Sequence, residues 1–265
     1  MNELVSIITP SYNTARFIGE TIESIIAQTY TNWELLIVDD CSSDNTDEIV
    51  AKYHDARIRY IKNSKNSGAA ISRNTALREA KGRWIAFLDS DDLWMPEKLM
   101  HQIAFMEKNE YHFTYTKRYS INEDSIPTGK TARGPKHVGK GLLLRYCWMA
   151  SATVIYDRNI VGDIQIEPIK KNNDYAMWLK VVKKADCYLL DEYLAKIRGR
   201  SGSLTDAPYV SLIKYYFQLY TMCEKKKRIP AYWCAVRNLF YGVLKQIFYI
   251  KRYDTNSLEF KSIIS

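Results

Sequence analysis

No apolar run in this chain of 265 residues approaches the about 20 consecutive residues that a membrane-spanning helix needs. The opening Met1-Asn2-Glu3-Leu4 has no basic region and no long apolar core, so no secretory signal is expected. Cysteine is sparse. Cys41, Cys147, Cys187, Cys223 and Cys234 stand far apart and form no C-x-x-C pair, which argues against a zinc site and against a disulfide framework. Reduced, mostly buried thiols in a cytosolic protein are the simplest expectation. Internal repeats, low-complexity blocks, RNP motifs and zinc-finger spacings are also missing, so only the charge and the many tyrosines support a nucleic-acid binder.

What is present describes a globular chain. A hydrophobic share of 46% and a charged share of 26% argue against disorder. The net charge of +8 favours anionic partners: nucleotides, nucleic acid or a lipid surface. The first half alternates strand and helix patterns. Leu4 to Thr9, Trp33 to Val38, Arg57 to Lys62 and Trp84 to Leu88 read as strands. Ile18, Ile22, Ile25 and Ile26 mark a helix, as do Asp44 to Tyr53 and the alanine-rich stretch from Ser67 to Lys81. Such alternation predicts an α/β fold with a mostly parallel central sheet and right-handed crossovers. Ligands of these sheets bind beyond the carboxyl ends of the strands. Three polar clusters fall there: Thr9 to Asn13, Asp39-Asp40, and Asp89-Ser90-Asp91-Asp92.

The last cluster is the most informative. Three carboxylates in four positions repel one another, and hard oxygen ligands suit Mg²⁺ or Mn²⁺, ions that share phosphate oxygens with a substrate. A solvated turn capping the next helix is the alternative, since Asp is a good N-cap.

The second half is less regular. It shows a helix after Met95-Pro96, strands at Phe113 to Tyr119 and Ala152 to Tyr156, and a Gly- and Pro-bearing loop or hairpin from Asn122 to Lys140. A helix follows from Asp174 to Val182, then two short strands at Tyr188 to Leu190 and Leu194 to Ile197. From Val210 to Tyr253 aromatics alternate with basic residues, led by Glu224-Lys225-Lys226-Lys227-Arg228. Basic residues flanking apolar aromatics suit an interfacial helix on an anionic bilayer; packing on the domain or on a second subunit is the other reading.

Val5 to Asn13, Val38 to Thr46, Asn66 to Ala70 with Ser72-Arg73-Asn74, and Phe87 to Asp92 resemble, in order, four motifs of inverting family 2 glycosyltransferases, the last being the family's DxD. Asn173 to Leu179 continues the resemblance more loosely, with Asn173 where the family commonly has Glu. Within the family the chain is similar to bacterial enzymes of surface-polysaccharide synthesis, teichuronic acid and O-antigen types included.

The resemblance implies a GT-A fold with a Rossmann-like half at residues 1–94, an acceptor-binding half at 95–205 and a carboxyl-terminal helical segment at 206–265. It implies a nucleotide-sugar donor, usually UDP-linked, and Mn²⁺ or Mg²⁺. Asp174 then matches the general base, and Asp91 with Asp89 the metal carboxylates. Pro10, Tyr12, Asn13, Asp40, Asn66, Arg73 and Ser90 match nucleotide-binding positions, Asp40 facing the uracil ring. Asp92, Arg198, Ser201 and Ser203 are candidates for the donor sugar or diphosphate. Trp94 and Trp178 are candidates for stacking on the acceptor, although tryptophan is more often packed in a core. The implied acceptor is a glycan on a polyprenyl diphosphate at the cytosolic face of the plasma membrane, with the inner leaflet as a partner and no nucleic acid; oligomeric state is left open. A sugar-nucleotide nucleotidyltransferase is the alternative enzyme class. Its usual glycine-rich basic loop after the first strand is replaced here by Pro10-Ser11-Tyr12-Asn13, which counts against it.

Overall fold

The computed structural model describes residues 2–200 and 212–264. In chain order its first half contains β1 (Val5–Ser11), α1 (Ile18–Ile26), β2 (Trp33–Asp39), α2 (Thr46–Val50), β3 (Ile58–Lys62), α3 (Ala69–Glu79), β4 (Trp84–Phe87), β5 (Leu93–Trp94) and α4 (Lys98–Asn109). The second half contains β6 (Phe113–Ile121), β7 (Pro127–Ala132), β8 (His137–Val138), α5 (Lys140–Leu143), β9 (Val154–Asp157), α6 (Arg158–Val161), α7 (Asn173–Val181), β10 (Cys187–Arg198), α8 (Ile213–Gln218), α9 (Arg228–Phe248), β11 (Ile250–Arg252) and α10 (Leu258–Ile264).

One sheet runs through both halves in the order β11-β7-β6-β9-β4-β1-β2-β3, with β10 joining β5, β6 and β8. β3, β2, β1 and β4 are parallel, as the alternating pattern predicts, while β9 lies antiparallel between β4 and β6. β1, β2 and β4 are buried on both faces, and their alternation sorts side chains into two cores, while the edge strand β3 is only half-buried. Val5, Ile7, Leu35, Ile37, Trp84 and Ala86 pack with Ile18, Ile22 and Ile25 of α1 and with Leu99, Ile103 and Met106 of α4. Ile8, Leu36, Val38, Ile85 and Phe87 face the other way, onto α3 and α7. Their register sets Ser11 beside Asp39 and Ile8 beside Phe87, so three strand ends deliver the polar clusters to one rim.

Several expectations change in detail. Tyr188–Ile197 is one strand rather than two, because bulges near Asp191 to Leu194 carry β10 past β6 without ending it. The Asn122 to Lys140 segment contains the expected hairpin, β7 turning back on β6, but β7 also pairs with β11 and β8 with β10. Gly82 does more than stop a helix. A Cβ there would lie 2.6 Å from the carbonyl oxygen of Leu4, and its N–H donates to Ser6 Oγ at 2.8 Å. The cysteines are free, but only Cys187 and Cys223 are buried.

α9 is docked onto the domain rather than tethered beside it. Asn238 Nδ2 donates to the hydroxyls of Tyr175 on α7 and of Tyr220, while those hydroxyls donate to the carbonyls of Leu143 and Leu144. Ala231, Ala235, Asn238, Gly242 and Lys245 form its buried face at helical spacing. No described helix is long and apolar enough to cross a membrane.

Candidate active site

The acidic loop follows β4 directly. Asp89 is partly exposed and accepts an ion pair from Arg73 Nη2 at 2.5 Å. Arg73, buried in the middle of α3, also donates through Nη1 to Asn173 Oδ1 on α7. One guanidinium thus ties the first carboxylate of the loop to the residue beside Asp174. Asp91 pairs with Arg200 Nε at 2.7 Å, and burial followed by the charge of Asp89 raises its pKa. Ser90 is buried in the same loop. Asp92 points inward and accepts the backbone N–H of Arg198 at 2.9 Å. Burial, then Asp91 and Asp89, hold its carboxyl well above the usual carboxylate range. Asp92 is therefore a cross-link between the loop and β10, neither a cap on the next helix nor a group turned toward a ligand.

Asp174 lies in the first turn of α7. Its Oδ1 accepts the N–H of Tyr175 at 2.8 Å, while Oδ2 has only a long contact with Ser151 Oγ at 3.5 Å. Burial raises its pKa, the nearby Arg73 opposes that shift, and Asp89 adds to it. Asp89 and Asp174 therefore share one electrostatic centre, as a paired metal and base site requires.

The nucleotide positions gather on the rim formed by β1 and β2. Asp40 N–H donates to the carbonyl of Ser11 at 2.8 Å, which holds the two loops together. Pro10 lies in the last pleat of β1, paired with Val38, and Tyr12 is 48% exposed, leaving its ring open to solvent. Asn13, in the left-handed region at φ 50°, accepts from Ser43 N at 2.9 Å and orders the loop. Asp40 is buried; its carboxylate accepts from Asn63 Nδ2 (2.9 Å), Ser67 N (3.0 Å) and Gly68 N (2.6 Å). It thus satisfies amides at the start of α3, and a uracil N–H would share an oxygen with them. Gly68 adopts φ 89° with open space where a Cβ would be, so its role is conformational. Asn66 is exposed beside it.

Three expected ligand contacts are corrected. The Arg198 side chain is 0% exposed, and its donors are spent on Asp91 O, Asn122 O, Glu123 O, Ser125 Oγ and Glu20 Oε2. Sealed from solvent, it has no open face for a diphosphate. Trp178 is 0% exposed, edge-on to Phe87 with ring centroids 5.0 Å apart, and fills the core beneath the site. Trp94 is 2% exposed and donates to the carbonyl of Ala152 at 2.7 Å. Neither indole can stack on an acceptor sugar. Ser201 and Ser203 lie outside the described residues. Arg200, two residues beyond Arg198 in the same basic stretch, is the cation that does face the acidic loop. Alternation would place Arg198 and Arg200 on one face; they part because β10 ends at Arg198 and Arg200 lies beyond it.

No group of three or more Asp, Glu, His or Cys side chains is arranged for a metal among the described residues. Two carboxylates with raised or paired charge nevertheless fit Mg²⁺ or Mn²⁺, which takes few protein ligands and completes its shell with phosphate and water. A cleft of about 420 Å³ lined by Leu4, Lys81, Arg83 and Arg158 opens at the amino-terminal ends of β1 and β4, away from these carboxylates.

Against known proteins, the pattern described as Glycosyl transferase family 2 matches residues 6–161. TuaG of Bacillus subtilis strain 168, named as a teichuronic acid biosynthesis glycosyltransferase, is 36% identical over 247 residues, covering 92% of this chain and 98% of that protein. The Escherichia coli protein WfaP, named UDP-Glc:alpha-D-GlcNAc-diphosphoundecaprenol beta-1,3-glucosyltransferase, is 43% identical over 216 residues, covering 80% of this chain and 84% of the relative. The crystal structure of S. aureus TarS 1-349 with UDP-GlcNAc superposes with a TM-score of 0.67 at 23% identity, covering 86% of this chain and 69% of that one. At that identity the likeness establishes the GT-A fold and nothing finer.

Proposed function

The chain belongs to glycosyl transferase family 2, and from that premise we propose that it transfers a hexose or N-acetylhexosamine from a UDP-sugar, with inversion, to a hydroxyl of a glycan carried on a polyprenyl diphosphate. The setting would be cell-surface polysaccharide synthesis, as the names of TuaG and WfaP suggest. The observation that carries this reading is the Arg73 bridge, which joins Asp89 of the acidic loop to Asn173, the neighbour of Asp174. It supports a single cleft holding donor on one side and acceptor on the other. Residues 1–94 would then supply the donor side and 95–205 the acceptor side.

In that cleft Asp174 is the base. The acceptor oxygen bonds to the anomeric carbon as the carbon–oxygen bond to the diphosphate breaks. Asp174 takes the hydroxyl proton, and the electron pair leaves with the nucleoside diphosphate. Burial raises the basicity of Asp174, and the nearby Arg73 opposes that shift. Asn173 lacks a charge, so the second carboxylate that the family commonly places there does not raise this pKa further. Asp91 and Asp89 would hold Mg²⁺ or Mn²⁺, which when bound offsets negative charge on the leaving diphosphate. Arg200, beside Asp91, supplies a further cation for it. Tyr12 and Pro10 would flank the base and ribose, with Asp40 at the uracil edge.

The outward face of α9 supports a peripheral membrane contact at the cytosolic leaflet. Ile229, Trp233, Phe240, Val243 and Ile247 form an exposed apolar stripe, Trp233 being 64% exposed. Lys225 to Arg228 precede it and Lys251-Arg252 follow, a pattern suited to anionic lipid.

The function is tested by a screen of UDP-sugars with Mn²⁺ and lipid-diphosphate-linked acceptors, reading nucleotide release and product. Asp174→Asn is expected to bind donor normally and to lose transfer by about 10²–10⁴-fold. Full transfer by that variant would remove the base assignment. Release of pyrophosphate from UTP and a sugar phosphate would instead revive the nucleotidyltransferase.

A further inference from the structure

A second cluster of charge lies beside the cleft. Arg118 of β6 pairs with Ala132 of β7, which pairs with Ile250 of β11; Lys130, two residues before Ala132, pairs with Arg252. Directly paired residues, and residues two apart on a strand, point to one face. Arg118, Lys130 and Arg252 therefore share a face of the β6–β7–β11 sheet. Lys245 approaches the same region from α9. Its Nζ donates to the carbonyls of Trp148 (2.9 Å) and Cys147 (3.3 Å) and lies 5.1 Å from the centre of the Tyr146 ring.

None of these four cations has an ion-pair partner among the described residues, although ion pairs are plentiful elsewhere in the molecule. The acids that act on them are Asp92, the buried cross-link to β10, on Arg118, and Asp174 on Lys245. Burial and mutual repulsion push Lys130 down, and Lys245 down to about 8, with Arg118 acting on both. Positive charge gathered with no ion-pair partner, on side chains of which Arg118, Lys130 and Lys245 are partly or largely buried, costs free energy, and a bound polyanion would lower that cost.

We propose that Arg118, Lys130, Lys245 and Arg252 bind the diphosphate of the lipid-linked acceptor, at a site separate from the one that takes the donor. This deepens the proposed function and rests on it. A sugar joined directly to a diphosphate can present a hydroxyl to Asp174 only if its phosphates lie one sugar ring away. Lys245 lies within electrostatic reach of Asp174, which puts the cluster on that side of the cleft. Its outermost member, Arg252, is exposed and follows α9, so a lipid chain leaving the cluster meets the helix that carries the apolar stripe.

Undecyl diphosphate, titrated into the full chain and followed by tryptophan fluorescence at saturating UDP and Mg²⁺, tests the site while the donor position is filled. Undecyl monophosphate and inorganic pyrophosphate separate the contributions of the second phosphate and of the lipid. The wild type is expected to bind undecyl diphosphate most tightly. Lys130→Gln with Arg252→Gln should weaken it by about tenfold or more, leaving UDP affinity and Tm unchanged. Arg118→Gln should weaken it further, and the milder pair carries the test if that variant does not fold. Wild-type affinity in the folded variants, or displacement of undecyl diphosphate by UDP, overturns the proposal. Failure of the wild type to bind UDP would instead strike the glycosyltransferase reading, a result read in the same titration series.

Discussion

At the scale of single residues, the two arginines of Arg198-Gly199-Arg200 divide structure from chemistry. Arg198 is sealed in and spends its donors on protein oxygens; Arg200 is partly exposed and meets Asp91. Arg198→Met should leave several carbonyls without their donor and cost about 1–3 kcal/mol, seen as a lower Tm. Arg200→Gln should leave Tm nearly unchanged and weaken donor binding in a nucleotide titration. Asp92 makes the opposite case, a carboxylate whose charge the fold resists. Its folded pKa is raised, so the native state holds the proton more tightly than the unfolded chain. Stability therefore falls as pH rises from the unfolded carboxylate range through the folded pKa, and the cost is fully present above it. Asp92→Asn keeps an oxygen for the Arg198 N–H. Its Tm should match the wild type in acid and exceed it increasingly toward neutral pH, by about 2–4 °C for each kcal/mol relieved. An unchanged difference across that range would count against the buried charge.

Among the elements, α9 has two faces with different tasks. The face of Ala231, Ala235, Asn238, Gly242 and Lys245 holds it to the domain; the face of Trp233, Phe240 and Ile247 is exposed. Trp233→Ser, Phe240→Ser and Ile247→Ser together should leave Tm and UDP binding intact while abolishing co-sedimentation with phosphatidylglycerol vesicles. Retained sedimentation would locate membrane contact elsewhere. Most elements were legible from pattern alone. α1, β1, β2 and β4 carry strong periodicity because each is buried on a defined face. β10 was misread as two strands because its bulge exposes Asp191 in mid-strand, and a local pattern cannot distinguish a bulge from a turn.

For the whole molecule, one sheet spans donor and acceptor sides, so ligand binding on either should stabilise the entire fold. A nucleotide bound at 100 times its dissociation constant adds about 2.7 kcal/mol. UDP with Mn²⁺ should raise Tm by several degrees, and EDTA should cancel most of that gain if Asp91 and Asp89 hold the cation. A UDP shift insensitive to EDTA would mean that the diphosphate is held by arginines and amides instead.

The order of strands and helices, the placing of Asp40, Asp89, Asp91 and Asp174 at element ends, and the family itself follow from the sequence, because local periodicity and short contiguous motifs encode them. Which side chains face a ligand was decided only by tertiary packing. Trp94 and Trp178 went to the core and Arg198 into a cage of carbonyls, because burial depends on what the rest of the chain brings alongside. The joining of Arg73 to Asn173, a hundred positions apart, and the gathering of Arg118, Lys130, Lys245 and Arg252 depend on sheet register and helix docking, which no local stretch of sequence contains.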